Sequence, residues 1–284
     1  MTHLRIAVLG ATGVLGRPVV RRLIERGHTV RAVVRPGAMR LLEPRQRLEQ
    51  VEGNILEPDS LLTPLVGCDV VLHLATAIPK PGMPMNWSLN DRIRREGTRN
   101  LLWAARSAHL RYVQQSVAML HANPGDAMVD EDSPLQGSPV LDSALEMERL
   151  VGESPLPWMI LRGGLFYGRG TGLSEKIERL AREGHCTMPL DGGSYVSLVH
   201  PDDMAEAVVL AAESSRNREV LNIVDDSPVT WRELLEFIVK QLDVRSPKPR
   251  GPRGLSGFRV SNARAKERLG WRPRFPDYRG GWGS

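Results

Sequence analysis

Three glycines, Gly10, Gly13 and Gly16, follow directly on the apolar run Ile6 to Leu9 and open a helix-compatible segment, Val14 to Arg26. A G-x-x-G-x-x-G turn between a strand and a helix lets the main chain come close to a phosphate. The helix N-terminus then offers unpaired N–H groups and a partial positive charge to the anion. Gly10, Thr12, Gly13, Val14, Leu15 and Gly16 are therefore read as the cradle of a dinucleotide pyrophosphate. Arg35 stands at the end of the next strand. Dinucleotide-binding folds carry there either an acid for the adenosine ribose 2′-OH or an arginine for a 2′-phosphate. With Arg40 close by in sequence, the position favours NADP, with NAD left open; a solvated loop arginine is the plain alternative.

The remaining reactive side chains are scattered. Ser116 closes a strand, His121 lies just beyond it, and Tyr167 follows a later strand. Asp142 and Glu146 are i, i+4 carboxylates read as a solvated helix face, and Asp202 and Asp203 complement a helix dipole. His73 sits inside an apolar strand and reads as a packed residue. No His, Cys, Asp and Glu cluster has metal-ligand spacing, so no metal is expected. Cys68 and Cys186 are far apart and form no C-x-x-C, which suits structural thiols in a reducing compartment.

The elements that must position these residues alternate. Leu4–Leu9, Thr29–Val34, Leu48–Val51, Asp69–Ala75, Leu110–Ser116 and Trp158–Leu161 read as strands. Val14–Arg26, Asn90–Ala108 and Leu141–Val151 read as helices between them. A short helix capped by Asp59 carries Leu61, Leu62 and Leu65 inward. Arg92, Arg94, Arg95 and Arg99 read as a solvated face. The proline-bearing stretches 76–87 and 121–140 are irregular, and the first lies where a ligand crevice would form. After Arg162 come a glycine-rich break, a helix (Ser174–Glu183), a strand (Tyr195–Val199), a helix opened by Pro201 (Met204–Ala212), a strand (Val220–Val224) and a helix (Thr230–Leu242). Thr230 and Glu233 have capping-box spacing. Arg245–Arg253 reads as an exposed loop and Ser261–Leu269 as a last helix. The pattern predicts an α/β fold, a doubly wound parallel Rossmann-type sheet over residues 1–162 with a small C-terminal α/β substrate-binding cap over 163–284.

Composition narrows the class. The 284 residues are 41% hydrophobic and 25% charged, with a net charge of +5. The basic residues are dispersed, which suits small anionic ligands better than nucleic acid. No apolar run approaches the roughly 18 residues of a membrane span, and no leader peptide is visible. A cytoplasmic protein with a small-molecule substrate is expected.

Several further stretches resemble the short-chain dehydrogenase/reductase superfamily, in its extended and atypical, epimerase/dehydratase-like branch. The glycine turn is similar to its cofactor loop. Gly53-Asn54-Ile55 with Asp59 resembles its adenine-contacting stretch, with Asn54 in place of the usual Asp. His73-Leu74-Ala75 resembles its fourth-strand signature, so the resemblance places Asn54, Ile55, Ala75 and Thr76 at the cofactor. Gly97-Thr98-x-Asn100-Leu101-Leu102, Leu156 to Arg162 with Tyr167-Gly168, Val199 to Ala205, and Leu269-Gly270-Trp271-x-Pro273 match later elements, so the likeness covers nearly the whole chain.

The resemblance implies a Ser, a Tyr and a Lys at work, the last two spaced Y-x-x-x-K. Ser116 takes the serine position. Val140 and Ala144 stand where the Tyr and Lys are expected, and no tyrosine in the chain has a lysine at i+4. Three readings stay open: an oxidoreductase or epimerase with another proton donor, Tyr167 or His121; an NADP(H)-binding sensor; or a non-redox enzyme that holds the cofactor as scaffold. Many relatives pair two helices in a homodimer, and 90–108 with 141–151 are the candidates for that role.

Overall fold

The computed structural model describes residues 3–37, 42–43, 45–79, 86–121, 125–189, 192, 194–245, 248–251 and 257–284. Arg40, most of the proline stretch after residue 79 and part of the 245–253 segment lie outside them.

The first βαβ unit forms as its sequence dictates. β1 (Arg5–Leu9) is almost wholly buried, and α1 (Gly16–Glu25) turns Val19, Val20 and Leu23 inward at helical spacing. Beyond α1, Gly27 N–H bonds to Ile24 O at 2.9 Å and His28 N–H to Leu23 O at 3.0 Å, the paired bonds of a Schellman ending. The chain then enters β2 (Thr29–Val34) and β3 (Leu48–Glu52). A 3-10 turn (Pro58–Leu61) runs into the short α2 (Leu62–Leu65). Asp59 does not cap it: Glu57 occupies the N-cap, and Asp59 lies in the first turn. Leu61 and Leu65 are buried, but Leu62 points outward at 37% exposure, because the 3-10 turn shifts the helical phase by one residue.

β4 (Val70–His73) is buried throughout, as expected of a strand covered on both faces. The expected long helix is present as α3 (Ser88–Arg92), a π-helical turn (Ile93–Gly97) and α4 (Thr98–Ser107). Its arginines do not share one solvated face. Arg92, Arg95 and Arg99 do lie outward, whereas Arg94 is 8% exposed. β5 (Arg111–Val117), α5 (Asp142–Gly152) and β6 (Trp158–Gly163) follow.

The C-terminal part contains β7 (Leu165–Phe166), α6 (Gly172–Arg182), β8 (Thr187–Pro189), β9 (Tyr195–Val196), β10 (Leu198–Val199), α7 (Pro201–Glu213) and β11 (Glu219–Ile223). β12 (Val229–Thr230), α8 (Trp231–Gln241), β13 (Lys248–Gly251), α9 (Ala263–Leu269) and α10 (Tyr278–Gly281) complete it. The single strand expected over 195–199 is two. Buried Ser197 breaks it by bonding Phe258 O and accepting Val260 N–H, so β9 pairs antiparallel with β12 and β10 pairs parallel with β7. Residues 248–251 are a strand parallel to β8 rather than loop. The capping box on α8 forms in full, Thr230 Oγ1 accepting Glu233 N–H and the Glu233 carboxylate accepting Thr230 N–H.

The main sheet has seven strands in the order β11-β6-β5-β4-β1-β2-β3. β1 pairs parallel with β2 and β4, and β3 and β5 extend the parallel register on either side. The order reverses at β1 and β4, the switch point outside whose strand ends α/β sheets bind ligands. The chain forms two compact units. One comprises Met1–Ser116, Gly137–Leu161 and Met204–Leu221; the other comprises Val117–Gln136, Arg162–Asp203 and Asn222–Ser284. Each has its own core, around Leu61, Val71, Leu101 and Tyr112 in the first and Tyr167, Leu234, Phe258 and Tyr278 in the second. Among the described residues no helix is long and apolar enough to cross a membrane.

Candidate functional site

The glycine turn lies at the end of β1, beside β4. Gly10 has φ +87, and a Cβ there would lie 2.6 Å from the carbonyl carbon and oxygen of Leu74 and 2.7 Å from Ala75 N. A Cβ on Gly16 would lie 2.0 Å from Gly10 O. These two glycines let strand, turn and helix close on one another. Gly13 differs: it is exposed, and its nearest obstacle to a Cβ is Gly10 O at 3.3 Å. Leu15, at the N-cap of α1, makes no side-chain cap bond, and the first turn carries no acid. A ten-residue helix with an uncapped, acid-free N-terminus beneath an open glycine suits a pyrophosphate. Thr12 and exposed Val14 line the turn, and Thr12 O accepts a 3.0 Å bond from Arg17 Nε.

The adenine-side candidates are fixed by their neighbours. Asn54 Oδ1 accepts Leu56 N–H at 3.1 Å, and its amide donates to Glu57 at 2.7 Å. Its side chain thus shapes the turn, and its main chain is engaged as well, Asn54 N–H donating to Ser60 Oγ at 2.9 Å and Asn54 O accepting Glu57 N–H at 2.8 Å. Ile55 is buried, packs where Gly97 has no side chain, and accepts Asn100 Nδ2 at 3.0 Å. Arg35 is exposed at the end of β2. Ala75 is half-buried and Thr76 exposed after β4, and Asn90 anchors the next residue by accepting Ala77 N–H at 3.0 Å.

At the end of β5 the site carries an unexpected pair. Ser116, 2% exposed, donates its hydroxyl to Glu148 Oε1 at 2.5 Å. The proton is committed to a carboxylate, so Ser116 presents lone pairs. On the same helix Ala144 is fully buried, and Val140 before it is 43% exposed. Arg94 reaches this end of α5 from the π turn, its Nη1 lying 3.3 Å from Ser143 Oγ and 3.5 Å from Val140 O.

Neither Arg94 nor Glu148 is singled out by type, but both carry a periodic signal. Positions 94, 97, 98, 101, 104 and 105 are the buried stripe of the α3–α4 helix, and 144, 147, 148 and 151 that of α5. A charge on an apolar stripe is the feature to look for.

His73 is fully buried, its Nδ1 2.9 Å from Tyr112 Oη, and burial lowers its pKa to about 4; it is a packed strand residue. His121 and Tyr167 lie in the second unit. His121 Nε2 is 3.1 Å from Asn222 Oδ1, and Asn222 N–H donates to Glu131 at 2.7 Å. Tyr167 is fully buried and stacked on Trp282 with ring centroids 6.2 Å apart. Burial, helped by Asp225 and Asp203, pushes its phenol well above the ordinary range, which suits packing more than proton exchange near neutrality.

A parallel sheet with a glycine-lined helix N-terminus at its switch point defines a dinucleotide-binding α/β protein. Residues 10–218 match the NAD(P)H-binding family, and the chain belongs to it. It is 33% identical to a 3-diazoavenalumate denitrifying reductase of Streptomyces sp, over 99% of each chain. It is 27% identical to a 4-hydroxy-2-methyl-3-oxo-4-farnesyl-3,4-dihydroquinoline-1-oxide ketoreductase of Stigmatella aurantiaca, over 97% of this chain and 83% of the other. Among solved structures it is similar to MoeE5 in complex with UDP-glucuronic acid and NAD, with a TM-score of 0.81, 25% identity, and coverage of 98% and 96%. These reductase relatives support an oxidoreductase of epimerase/dehydratase-like fold.

Proposed function

We propose that the protein is an NADPH-preferring reductase whose acceptor needs no phenol acid, a diazo compound that loses nitrogen being the class that fits best. The observation that carries this reading is the α5 N-terminus, where Val140 and Ala144 occupy the positions the resemblance gives to Tyr and Lys. A carbonyl reductase needs a proton at the nascent alkoxide. Replacement of N2 by hydride at an aryl diazonium carbon does not, because the departing N2 takes the C–N electron pair and no alkoxide forms. When bound, NAD(P)H supplies a hydride: the new C–H bond takes the hydride pair, the C–N bond breaks with its pair leaving in N2, and the cofactor ends oxidised. The 33% identity to a denitrifying reductase over the full length supports the same class.

In this reading the turn from Gly10 to Gly16 holds the pyrophosphate, with Arg35 beside the 2′-phosphate. Asn54 and Ile55 border the adenine, and Ala75 and Thr76 the cofactor's course past β4. Ser116, fixed by Glu148, orients the substrate. Residues 163–284 contribute substrate contacts. Homodimerisation through α4 and α5 belongs to the same reading, and a monomer mass by light scattering would exclude it. The decisive experiment uses 4-hydroxybenzenediazonium with NADPH deuterated at the nicotinamide C4. Deuterium in the phenol product, N2 release and loss of 340 nm absorbance above the enzyme-free rate are expected. Cofactor left unoxidised would overturn the reading.

A further inference from the structure

Arg94 carries a buried positive charge that its surroundings do not neutralise. It is 8% exposed, and its only acceptors among the described residues are Val140 O and Ser143 Oγ, both neutral and both at the long end of hydrogen bonding. No ion pair joins it to a carboxylate within 4.0 Å among those residues; Asp91, one turn earlier, attracts it only at longer range. Three other arginines of this helix behave differently. Arg92 pairs with Glu96, and Arg95 and Arg99 both grip Glu146, all at half-exposed positions. Burying a guanidinium without a counter-ion is costly, and such positions are retained where a ligand supplies the missing charge. The backbone under it is irregular too. Arg94 sits in the π turn Ile93–Gly97, a widened turn that concentrates at functional sites.

The geometry points to Arg94 as a substrate-binding residue that receives an oxyanion, a phenolate or carboxylate oxygen, at the Val140 end of α5. The Nε and Nη2 donors have no acceptor among the described residues, so the fork is available for a charge-assisted contact. Val140, whose carbonyl is one of the two acceptors, is small and 43% exposed. Asp91 is the one acid acting on Arg94 from its own helix, and Val140 and Ser143 are its contacts on α5. The arrangement selects anionic substrates and holds their negative end against a fixed cation. This inference rests on the reductase reading only in taking the oxyanion to be the substrate's.

The probe is 4-nitrophenolate, whose visible absorbance reports its ionisation, titrated into the protein–NADP+ complex above and below the phenol's own pKa. Wild type is expected to bind the phenolate about tenfold or more tightly than the phenol. Arg94→Met should weaken phenolate binding by about the same factor and abolish the preference, while Arg94→Lys retains part of it. NADP+ affinity should be unchanged in both. If the methionine variant does not fold, Arg94→Gln replaces it, keeping polar contacts without the charge. A wild type without phenolate preference overturns the inference, as does a neutral variant that keeps it. Deuteride transfer to the diazonium probe is scored separately. Its failure refutes the reductase reading and leaves the nitrophenolate result to decide the role of Arg94.

Discussion

Alanine substitutions at Gly10 and Gly13 should separate folding from cofactor binding within one turn. At Gly10 the backbone has φ +87, and a Cβ would sit 2.6 Å from the Leu74 main chain. Left-handed backbone costs an L-residue about 1–2 kcal/mol, and overpacking against main chain adds about 1–3 kcal/mol. The sum, about 2–5 kcal/mol, lowers the melting temperature of a chain this size by on the order of 10 °C. Gly13 is exposed and free of positive φ, and its closest obstacle lies 3.3 Å away. Gly13→Ala should therefore leave apo-protein stability within about 0.5 kcal/mol. Its methyl group instead occupies the space a pyrophosphate needs, so NADPH affinity should fall by about tenfold or more, worth about 1.4 kcal/mol. Thermal melts without cofactor and fluorescence titrations with NADPH give both numbers. A Gly13→Ala protein with unchanged NADPH affinity, or a Gly10→Ala protein with an unshifted melt, would refute the assignment of the turn.

Other perturbations test the remaining parts. Arg35→Asp should weaken NADPH by about tenfold more than NADH, a charge-assisted phosphate contact being lost; equal losses would remove Arg35 from the 2′-phosphate. Ser116→Ala deletes the donor to Glu148 and should reduce turnover at 340 nm about tenfold or more, whereas a wild-type rate would show the hydroxyl to be a packing feature. Asp225 is 2% exposed, and burial pushes its carboxyl up to about 8. The folded state then keeps a proton that the unfolded chain releases near its ordinary carboxylate pKa, so stability falls as pH rises between about 4 and 8. Asp225→Asn should flatten that slope in melts taken from pH 5 to 8, and parallel curves for the two proteins would contradict it.

The first βαβ unit is legible because local signals agree: β-branched strands, an apolar stripe and turn glycines all specify one geometry. The α8 cap is legible for the same reason, since Thr230 and Glu233 need only each other. Leu62 and Arg94 are misread where the helical period changes, to 3-10 at Pro58–Leu61 and to π at Ile93–Gly97. A uniform period of 3.6 residues places the wrong side chain inward there. The bond from Ser116 to Glu148 spans 32 residues and depends on how α5 packs beside β5, which no local pattern encodes. The strand at 248–251 lies in a proline- and arginine-rich stretch, and its partner 187–189 is shorter still. Its pairing comes from tertiary contact rather than propensity.

The chain order of the first unit bears on how the protein is made. Arg26, at the C-cap of α1, pairs with Glu206 and Glu213, and His28 Nε2 lies 2.9 Å from Glu213, links spanning 180 to 187 residues. The sheet likewise ends on β11, whose strand begins at Glu219. A nascent chain that has released residues 1–161 thus carries an unpaired flank on β6 and lacks the helix that covers His28. Such an edge is a template for pairing with other chains, and contacts so distant in sequence form late. The dinucleotide-binding unit therefore completes its sheet only once β11, Glu219–Ile223, has been released. Until then its β6 flank stays an exposed edge.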